Sequence, residues 1–249
     1  MTHRPRKRFG QHFLHDRRVL ARIVEAIAPA AGDRLVEIGP GEGALTRALL
    51  ERTARLVAIE IDRDLAAHLA REFLPARLEL HCADALEFDF AALPAGVRLV
   101  GNLPYNISTP LLFRVAALGA RLRDCHFLLQ REVVERMVAA PSTPAYGRLS
   151  VMLQARFAMR RLFTVPAAAF RPAPKVESAL VRLRPLGTPE PPPAFADLVR
   201  RAFAARRKTL ANALGLAPAE LAALGFDPKL RPENLSAADY LRIAARRAG

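Results

Sequence analysis

Several things are scarce in this sequence of 249 residues, and each scarcity excludes something. There are two cysteines, Cys82 and Cys125, too few for a disulfide framework and without a Cys-x-x-Cys pair to hold zinc. The six histidines show no metal-ligand spacing, so no metal site is expected. No apolar run reaches the roughly 18 residues that a membrane-spanning helix needs. The chain starts with a basic stretch that leads into Phe9-Gly-Gln rather than into an apolar signal core, so secretion is not expected. The reducing cytoplasm is the compartment these features fit, and a monomer with no membrane partner is the expected state. Acidic residues are scarce too: 24 Asp and Glu stand against 38 Lys and Arg, a formal net charge of +14.

Enough apolar material is present, at 51% of residues, to fill a real core. The length suits one large domain, or one with a small appendage. The positive surplus points to a polyanionic partner. Part of it is discounted, because lysine occurs only at positions 7, 175, 208 and 229 while Arg and Ala are abundant, as a GC-rich coding background produces. Distribution says more than the total. Arg4, Arg6, Lys7, Arg8, Arg17 and Arg18 crowd the start against a lone Asp16, and Arg206, Arg207 and Lys208 form a second knot. Either cluster alone also reads as a solvated face. Two of them far apart favour nucleic acid, with Arg6, Lys7, Arg8, Arg206, Arg207 and Lys208 as candidate phosphate contacts.

The periodicity alternates. Residues 16–29 space Val19, Leu20, Ile23, Val24 and Ile27 as an amphipathic helix. Short buried strands are expected at 34–39, 55–60, 77–81, 97–101 and 124–130. Helices are expected after Gly43, near 63–73 and near 109–119. Such alternation means an α/β fold with a doubly wound, mostly parallel sheet. Runs at 150–158 and 177–184 read as further strands, a hairpin at one edge. Residues 185–193, five of them proline, read as a stiff linker. The expected division is 1–184 as a Rossmann-like domain with a basic N-terminal arm, 185–193 as linker, and 194–249 as a small all-helical domain. Ser236 is placed to cap the last helix.

Gly39-Pro-Gly-Glu-Gly43 sits between a strand and a helix, where glycines let the backbone approach a ligand closely. Glu60, about 20 residues on at the end of the next strand, is placed for ribose hydroxyls. The loop alone permits NAD, FAD or S-adenosylmethionine. Glu37, just before the glycines, could meet a ligand's cationic end. Asp84 could accept from an adenine amino group, or cap a helix. Asn102-Leu-Pro-Tyr105 narrows the choice, although Asn and Pro also favour a simple turn. An exocyclic base amine is a poor nucleophile because its lone pair is delocalised into the ring. Two acceptors aimed at its N–H groups favour a pyramidal nitrogen with its lone pair on the methyl donor. Asn102 can supply a side-chain oxygen and Leu103 a carbonyl. Pro104 fixes the backbone, and Tyr105 offers a face for the base. With a sulfonium as electrophile, catalysis is mainly alignment and electrostatics.

With these motifs in order, the sequence resembles the ribosomal RNA adenine N6-dimethyltransferase family, in its bacterial small-subunit (16S) branch. The resemblance spans essentially the whole chain. It rests on Lys7-Arg-Phe-Gly-Gln-His-Phe-Leu14, Glu37–Gly43, Glu60, Asp84-Ala85, Asn102-Leu-Pro-Tyr-Asn-Ile-Ser108, Phe170–Ser178 and Phe203–Leu210. It implies a class I S-adenosylmethionine-dependent methyltransferase fold with a small helical C-terminal domain. It also implies transfer of four methyl groups to two adjacent adenosines in a hairpin near the 3′ end of small-subunit rRNA. By motif match, His12, Leu14, Gly39, Gly41, Glu60, Asp84 and Asn102 would meet the cofactor. Position 12 is often Asn in relatives, and Glu177 stands where the family often has Asp. Phe170 would sandwich the target base opposite Tyr105, against the plainer reading of an ordinary core Phe. Three other readings compete. A large-subunit rRNA adenine methyltransferase shares the fold, but the Phe170–Ser178 and Arg-Arg-Lys blocks favour the small-subunit enzyme. An RNA-binding ribosome assembly factor would use the same basic clusters. An NAD-dependent oxidoreductase leaves Asn-Leu-Pro-Tyr unexplained.

Overall fold

The structure is a computed structural model and describes residues 11–246, so Arg6, Lys7 and Arg8 lie outside the described residues. A short strand β1 (Phe13–Leu14) leads into helix α1 (Arg17–Ile27). The helix starts where the Asp16 carboxylate accepts from the backbone N–H groups of Arg18 and Val19, at 2.8 and 3.1 Å. Its apolar stripe, Val19, Ile23, Val24 and Ile27, is buried.

Strands and helices then alternate: β2 (Leu35–Ile38), α2 (Ala44–Leu50), β3 (Leu56–Glu60), α3 (Arg63–Glu72), β4 (Leu78–Cys82), β5 (Val97–Asn102), α4 (Ser108–Leu118) and β6 (Leu122–Gln130). After α5 (Arg131–Val138) and α6 (Arg148–Gln154) come β7 (Phe157–Val165), β8 (Phe170–Arg171) and β9 (Ser178–Pro185). The main sheet has seven strands in the order β4-β3-β2-β5-β6-β9-β7. β2 to β6 run parallel and β9 is antiparallel to β6. The chain therefore winds outward from β2 to β4, then returns to lay β5 on the other side of β2. Loops after β2 and β5 diverge at that reversal and leave a crevice for a ligand. Gly101 allows the two strands to meet there, since a Cβ on it would lie 2.4 Å from the Ile38 carbonyl oxygen.

The strand expected at 150–158 is a correction. Residues 148–154 form α6, and the strand begins only at Phe157. A short apolar run does not distinguish the two by period. Here burial decides: Val151 and Ala155 pack into a helical core with Phe195, Leu198 and Tyr240. The Ser150 hydroxyl holds the start of the helix, accepting from the Gly147 N–H at 3.0 Å and donating to the Arg136 carbonyl at 2.5 Å.

The chain divides into two compact units. The first comprises the residues up to Val134 together with Ala158–Leu186, and the second comprises Glu135–Phe157 together with the residues from Gly187 onward. Instead of a single cut at the proline-rich segment, the helical unit also takes in this stretch from the middle of the chain. The rest of that unit is α7 (Phe195–Ala204), α8 (Leu210–Leu214), α9 (Pro218–Ala223) and α10 (Ala237–Arg246). Ser236 caps α10, accepting from the Asp239 N–H at 3.2 Å. Two buried tyrosines bridge its core to backbone: Tyr146 donates to the Leu235 carbonyl and Tyr240 to the Pro232 carbonyl, both at 2.9 Å.

Within the first unit, Arg98 is buried under the end of α1. It donates twice to Asp124 (2.9 and 3.0 Å), once to Asp33 (2.6 Å) and once to the Ile27 carbonyl (2.6 Å). Burial works against its charge, but the two carboxylates outweigh that and raise its pKa.

Candidate active site

A cavity of about 320 Å³ opens in the first unit at the reversal between β2 and β5. Its rim is the glycine loop after β2. Gly39, Gly41 and Gly43 have φ of 68°, 59° and 79°, left-handed values that side chains resist. Gly41 is also close-packed, since a Cβ there would lie 2.9 Å from the Phe13 ring. Gly43 caps α2, so the loop turns directly into that helix.

The acids at the strand ends are held, not loose. Glu60, at the end of β3, is 4% exposed. One carboxylate oxygen accepts from the Gly41 N–H at 3.1 Å and the other from the Asp62 N–H at 2.9 Å. Burial raises its pKa, against those backbone donors. Asp84 follows β4; one oxygen accepts from the Leu86 N–H at 2.8 Å, so it caps a turn while lining the cavity. Glu37, within β2, is 1% exposed and also lines the cavity. Burial pushes its carboxyl up to about 7, with Glu60 adding to the rise and the Thr46 hydroxyl opposing it through a 2.7 Å hydrogen bond.

Asn102 ends β5 beside these groups. Its Nδ2 donates to the His12 carbonyl oxygen at 2.8 Å. A carbonyl can only accept, so this contact fixes the amide orientation and leaves Oδ1 as the end able to accept. The Leu103 N–H is tied to the Leu128 carbonyl at 3.1 Å, while no hydrogen bond to the Leu103 carbonyl is seen among the described residues. Pro104 follows, and its own carbonyl accepts from Ile107 N–H and the Ser108 hydroxyl. Tyr105 is partly buried, its hydroxyl 3.1 Å from the Ser178 hydroxyl. Burial raises its pKa, against that hydrogen bond.

His12 stacks on Tyr105 with ring centroids 5.4 Å apart and planes 30° from parallel. Its Nδ1 is 2.7 Å from the Pro172 carbonyl, so Nδ1 carries a proton. Leu14 is buried and lines the cavity from below. The structure thus brings His12, Leu14, Gly39, Gly41, Glu60, Asp84, Asn102, Leu103, Pro104 and Tyr105 to one cavity.

Phe170 is not among its lining residues, and this corrects the position opposite Tyr105. Its side chain is 3% exposed and packs in the core. The reason is the pleat of β8: Phe170 pairs with Leu14 of β1 and points inward, while Arg171 points out. In the helical unit, Arg206 is engaged with Glu233 at 3.4 Å, whereas Arg207 and Lys208 are exposed.

Sequence reasoning passed over two groups, one that holds a cavity residue and one that lines the cavity itself. Ser178 closes the Phe170–Ser178 motif, and its contact with Tyr105 is a use for that motif position which spacing could not disclose. His126, on β6, is 2% exposed and lines the cavity. Burial brings its imidazole down to about 4; Asp124 opposes this, and Arg98, Arg182 and Arg184 reinforce it.

Comparison with known proteins agrees with the geometry. Residues 2–248 match the profile of the family described as ribosomal RNA adenine dimethylase. A protein of Thiobacillus denitrificans named ribosomal RNA small subunit methyltransferase A is 58% identical, over 98% of this chain and 98% of its own. One of the same name from Aromatoleum aromaticum is 56% identical, over 97% and 93%. Among solved structures, a dimethyladenosine transferase from Plasmodium falciparum superposes with a TM-score of 0.82 at 25% identity, over 94% of this chain and 97% of that one. The 23S rRNA methyltransferase ErmE gives 0.73 at 26%, over 94% and 98%.

Proposed function

The chain belongs to the ribosomal RNA adenine dimethylase family, and on that premise we propose that it methylates N6 of two adjacent adenosines in a hairpin near the 3′ end of small-subunit rRNA, giving N6,N6-dimethyladenosines. The small subunit is favoured over the large by relatives above 50% identity that carry the small-subunit name, against 26% for ErmE. Family and fold together make the enzyme S-adenosylmethionine-dependent.

The residues present suit that cofactor. The cavity offers acceptors almost throughout: the Glu60 and Asp84 carboxylates, Asn102 Oδ1 and the Leu103 carbonyl. Such a set fits a ligand rich in hydroxyl and amino donors and carrying a cation. Glu60 would take the ribose hydroxyls and Asp84 the adenine amino group, with the backbone at Gly39 and Gly41 allowing close approach. His12 and Leu14 would complete the wall. When bound, S-adenosylmethionine supplies a methyl group already activated as a sulfonium.

What this chain contributes is alignment. Asn102 Oδ1 and the Leu103 carbonyl accept the two N–H groups of the target amine and point its lone pair at the methyl donor. Pro104 keeps those acceptors in place and adds no competing donor. Tyr105, anchored by Ser178, offers its ring to the base. A monomethylated amine has one N–H left, so the two acceptors cannot both be engaged in the second transfer.

The observation that carries this reading is the Asn102 amide, turned by the His12 carbonyl so that its oxygen is the acceptor. Arg207 and Lys208, with Arg6, Lys7 and Arg8 of the N-terminal arm, would contact RNA phosphates, and Arg206 would join them on leaving Glu233. Among the described residues no helix is long and apolar enough to cross a membrane; we place the enzyme in the cytoplasm, as a monomer working on small-subunit particles. The test is methyl transfer from labelled S-adenosylmethionine to undermodified small subunits, with large subunits as control and nucleoside mass spectrometry as readout. Dimethyladenosine at two adjacent small-subunit positions is the expected result. Label in large-subunit RNA, or none in either, overturns it.

A further inference from the structure

Away from the cavity mouth, one flank of the first unit carries arginines that the fold does not neutralise. Arg182 on β9 pairs with His126 on β6, and Leu180 pairs with Leu128, so all four side chains stand on one face of the sheet. Arg184 follows two residues on and points the same way. Helix α1 packs on this face, with Val19 and Ile23 in one core with Leu128 and Leu180. Its Arg18 and Arg22, one turn apart, are exposed. The Arg22 guanidinium lies 4.1 Å from the centre of the Phe163 ring on β7, which ties that side of the helix to the edge of the sheet.

Among the described residues no carboxylate pairs with Arg18, Arg22, Arg182 or Arg184. Asp124, on the strand beside Arg184, is spent on Arg98. Glu25, the acid within α1, lines the groove on the α2 side instead. The excess charge is felt inside the sheet. Burial, and beyond it Arg98, Arg182 and Arg184, keeps the His126 imidazole from protonating, and neither of its ring nitrogens has a hydrogen-bond partner among the described residues. Unneutralised guanidinium groups gathered on one face attract a polyanion, and their planar forks match phosphate oxygens two at a time. This face is not the target-base site. Ser178, at the cavity end of β9, holds Tyr105, and Arg184 stands six residues further on, roughly 20 Å along the strand. An adenosine held at Tyr105 does not reach that far, whereas a neighbouring stretch of a large RNA does.

We propose that Arg18, Arg22, Arg182 and Arg184 form an RNA-docking surface separate from the cavity mouth, which holds the sugar-phosphate backbone of small-subunit rRNA outside the target hairpin. The surface positions the particle and takes no part in methyl transfer. This rests on the reading of the chain as an enzyme of small-subunit rRNA.

Binding of the full chain to undermodified small subunits, measured over a range of salt concentrations, tests it. Arg182→Gln combined with Arg184→Gln should weaken binding and make the dependence of log Kd on log salt shallower by about 1–2, roughly one unit for each lost phosphate contact. Arg182→Lys with Arg184→Lys keeps the charge and should restore most of the slope. Arg52→Gln with Arg63→Gln removes equal charge from exposed positions beside α2 and at the start of α3, and should leave the slope unchanged. An unchanged slope in the Arg182 and Arg184 variant, or an equal fall in the control pair, overturns the proposal. Hydroxyl-radical footprinting at saturating enzyme identifies the partner. Protections outside the target hairpin should be present with the wild type and lost with the variant; if they persist while affinity falls, the arginines meet a ribosomal protein and the proposal fails. Thermal unfolding separates a folding defect from a docking one, and Arg184→Gln alone, at an exposed position, carries the same test with about half the slope change. Wild-type protein that binds no small subunit would instead overturn the rRNA reading itself.

Discussion

Replacing Glu37 by Gln removes one buried ionisable group and leaves its size and its bond to Thr46 almost unchanged. In the folded protein, burial moves the Glu37 carboxyl from 4.5 up to about 7. The folded state therefore binds this proton more tightly than the unfolded state does. Stability from this group is fully present below about pH 4.5 and is lost as the pH rises to about 7. A shift of that size corresponds to about 3 kcal/mol. Glutamine has no proton to lose, so the difference between the two proteins isolates the group, with every other carboxyl common to both. Urea denaturation of ligand-free protein from about pH 5 to pH 8.5 should show the Gln variant gaining on the wild type, by up to about 3 kcal/mol at the alkaline end. Titration with S-adenosylmethionine should show the opposite ranking, because an ionised Glu37 attracts the cationic ligand, and the variant's deficit should be larger at about pH 8 than at about pH 6. A stability difference that stays flat across the range would refute the reasoning, since Glu37 would then ionise alike in both states.

Asn102→Ala should lower both methyl transfers by about 10²–10³-fold in single-turnover assays, as loss of one preorganised acceptor does; near-normal turnover would remove Asn102 from the mechanism. Tyr105→Ala should act mainly on RNA-substrate KM, and an effect on kcat alone would contradict its base-holding role. Gly101→Ala places a methyl against the Ile38 carbonyl and should cost about 1–3 kcal/mol or more by chemical denaturation, whereas an unaltered midpoint would mean that β2 and β5 can part without penalty. Arg98→Met strips Asp124 of its guanidinium partner and leaves Asp33 with Arg123 alone, and it should destabilise the protein by about 3 kcal/mol in urea denaturation, whereas an unchanged midpoint would mean that the buried pair adds nothing to the fold.

The parts of this molecule legible in the sequence are those set by neighbours along the chain. The stripe from Val19 to Ile27, the glycine turn at residues 39–43 and Asn102-Leu-Pro-Tyr105 carry their meaning locally, and the fold class follows from their order. The rest depends on partners far away in sequence. The orientation of the Asn102 amide is set by a carbonyl 90 residues earlier. His126 sits in an apolar strand run where nothing local marks it as unpaired. Phe170 belongs to a recognisable motif, but its burial comes from pairing with β1. Residues 148–154 are apolar enough for a strand, and they become a helix because residues beyond 187 supply a helical surface for them to pack on.

The placing of residues 135–157 in the second unit bears on how the chain is made. β6 ends at Gln130, but its outer neighbour β9 begins only at Ser178. At roughly 5–20 residues per second of synthesis, several seconds separate the two strands. For that interval β6 is a bare edge, and its buried run from Cys125 to Leu129 has no cover on one flank. The helical segments made meanwhile cannot shield themselves either, because their packing partners follow still later. The nascent protein thus waits with two unfinished surfaces at once, and the last few dozen residues complete the helical one. An enzyme that methylates ribosomal RNA is thereby exposed, as it emerges from a ribosome, to a folding order that a chain of consecutive domains would avoid.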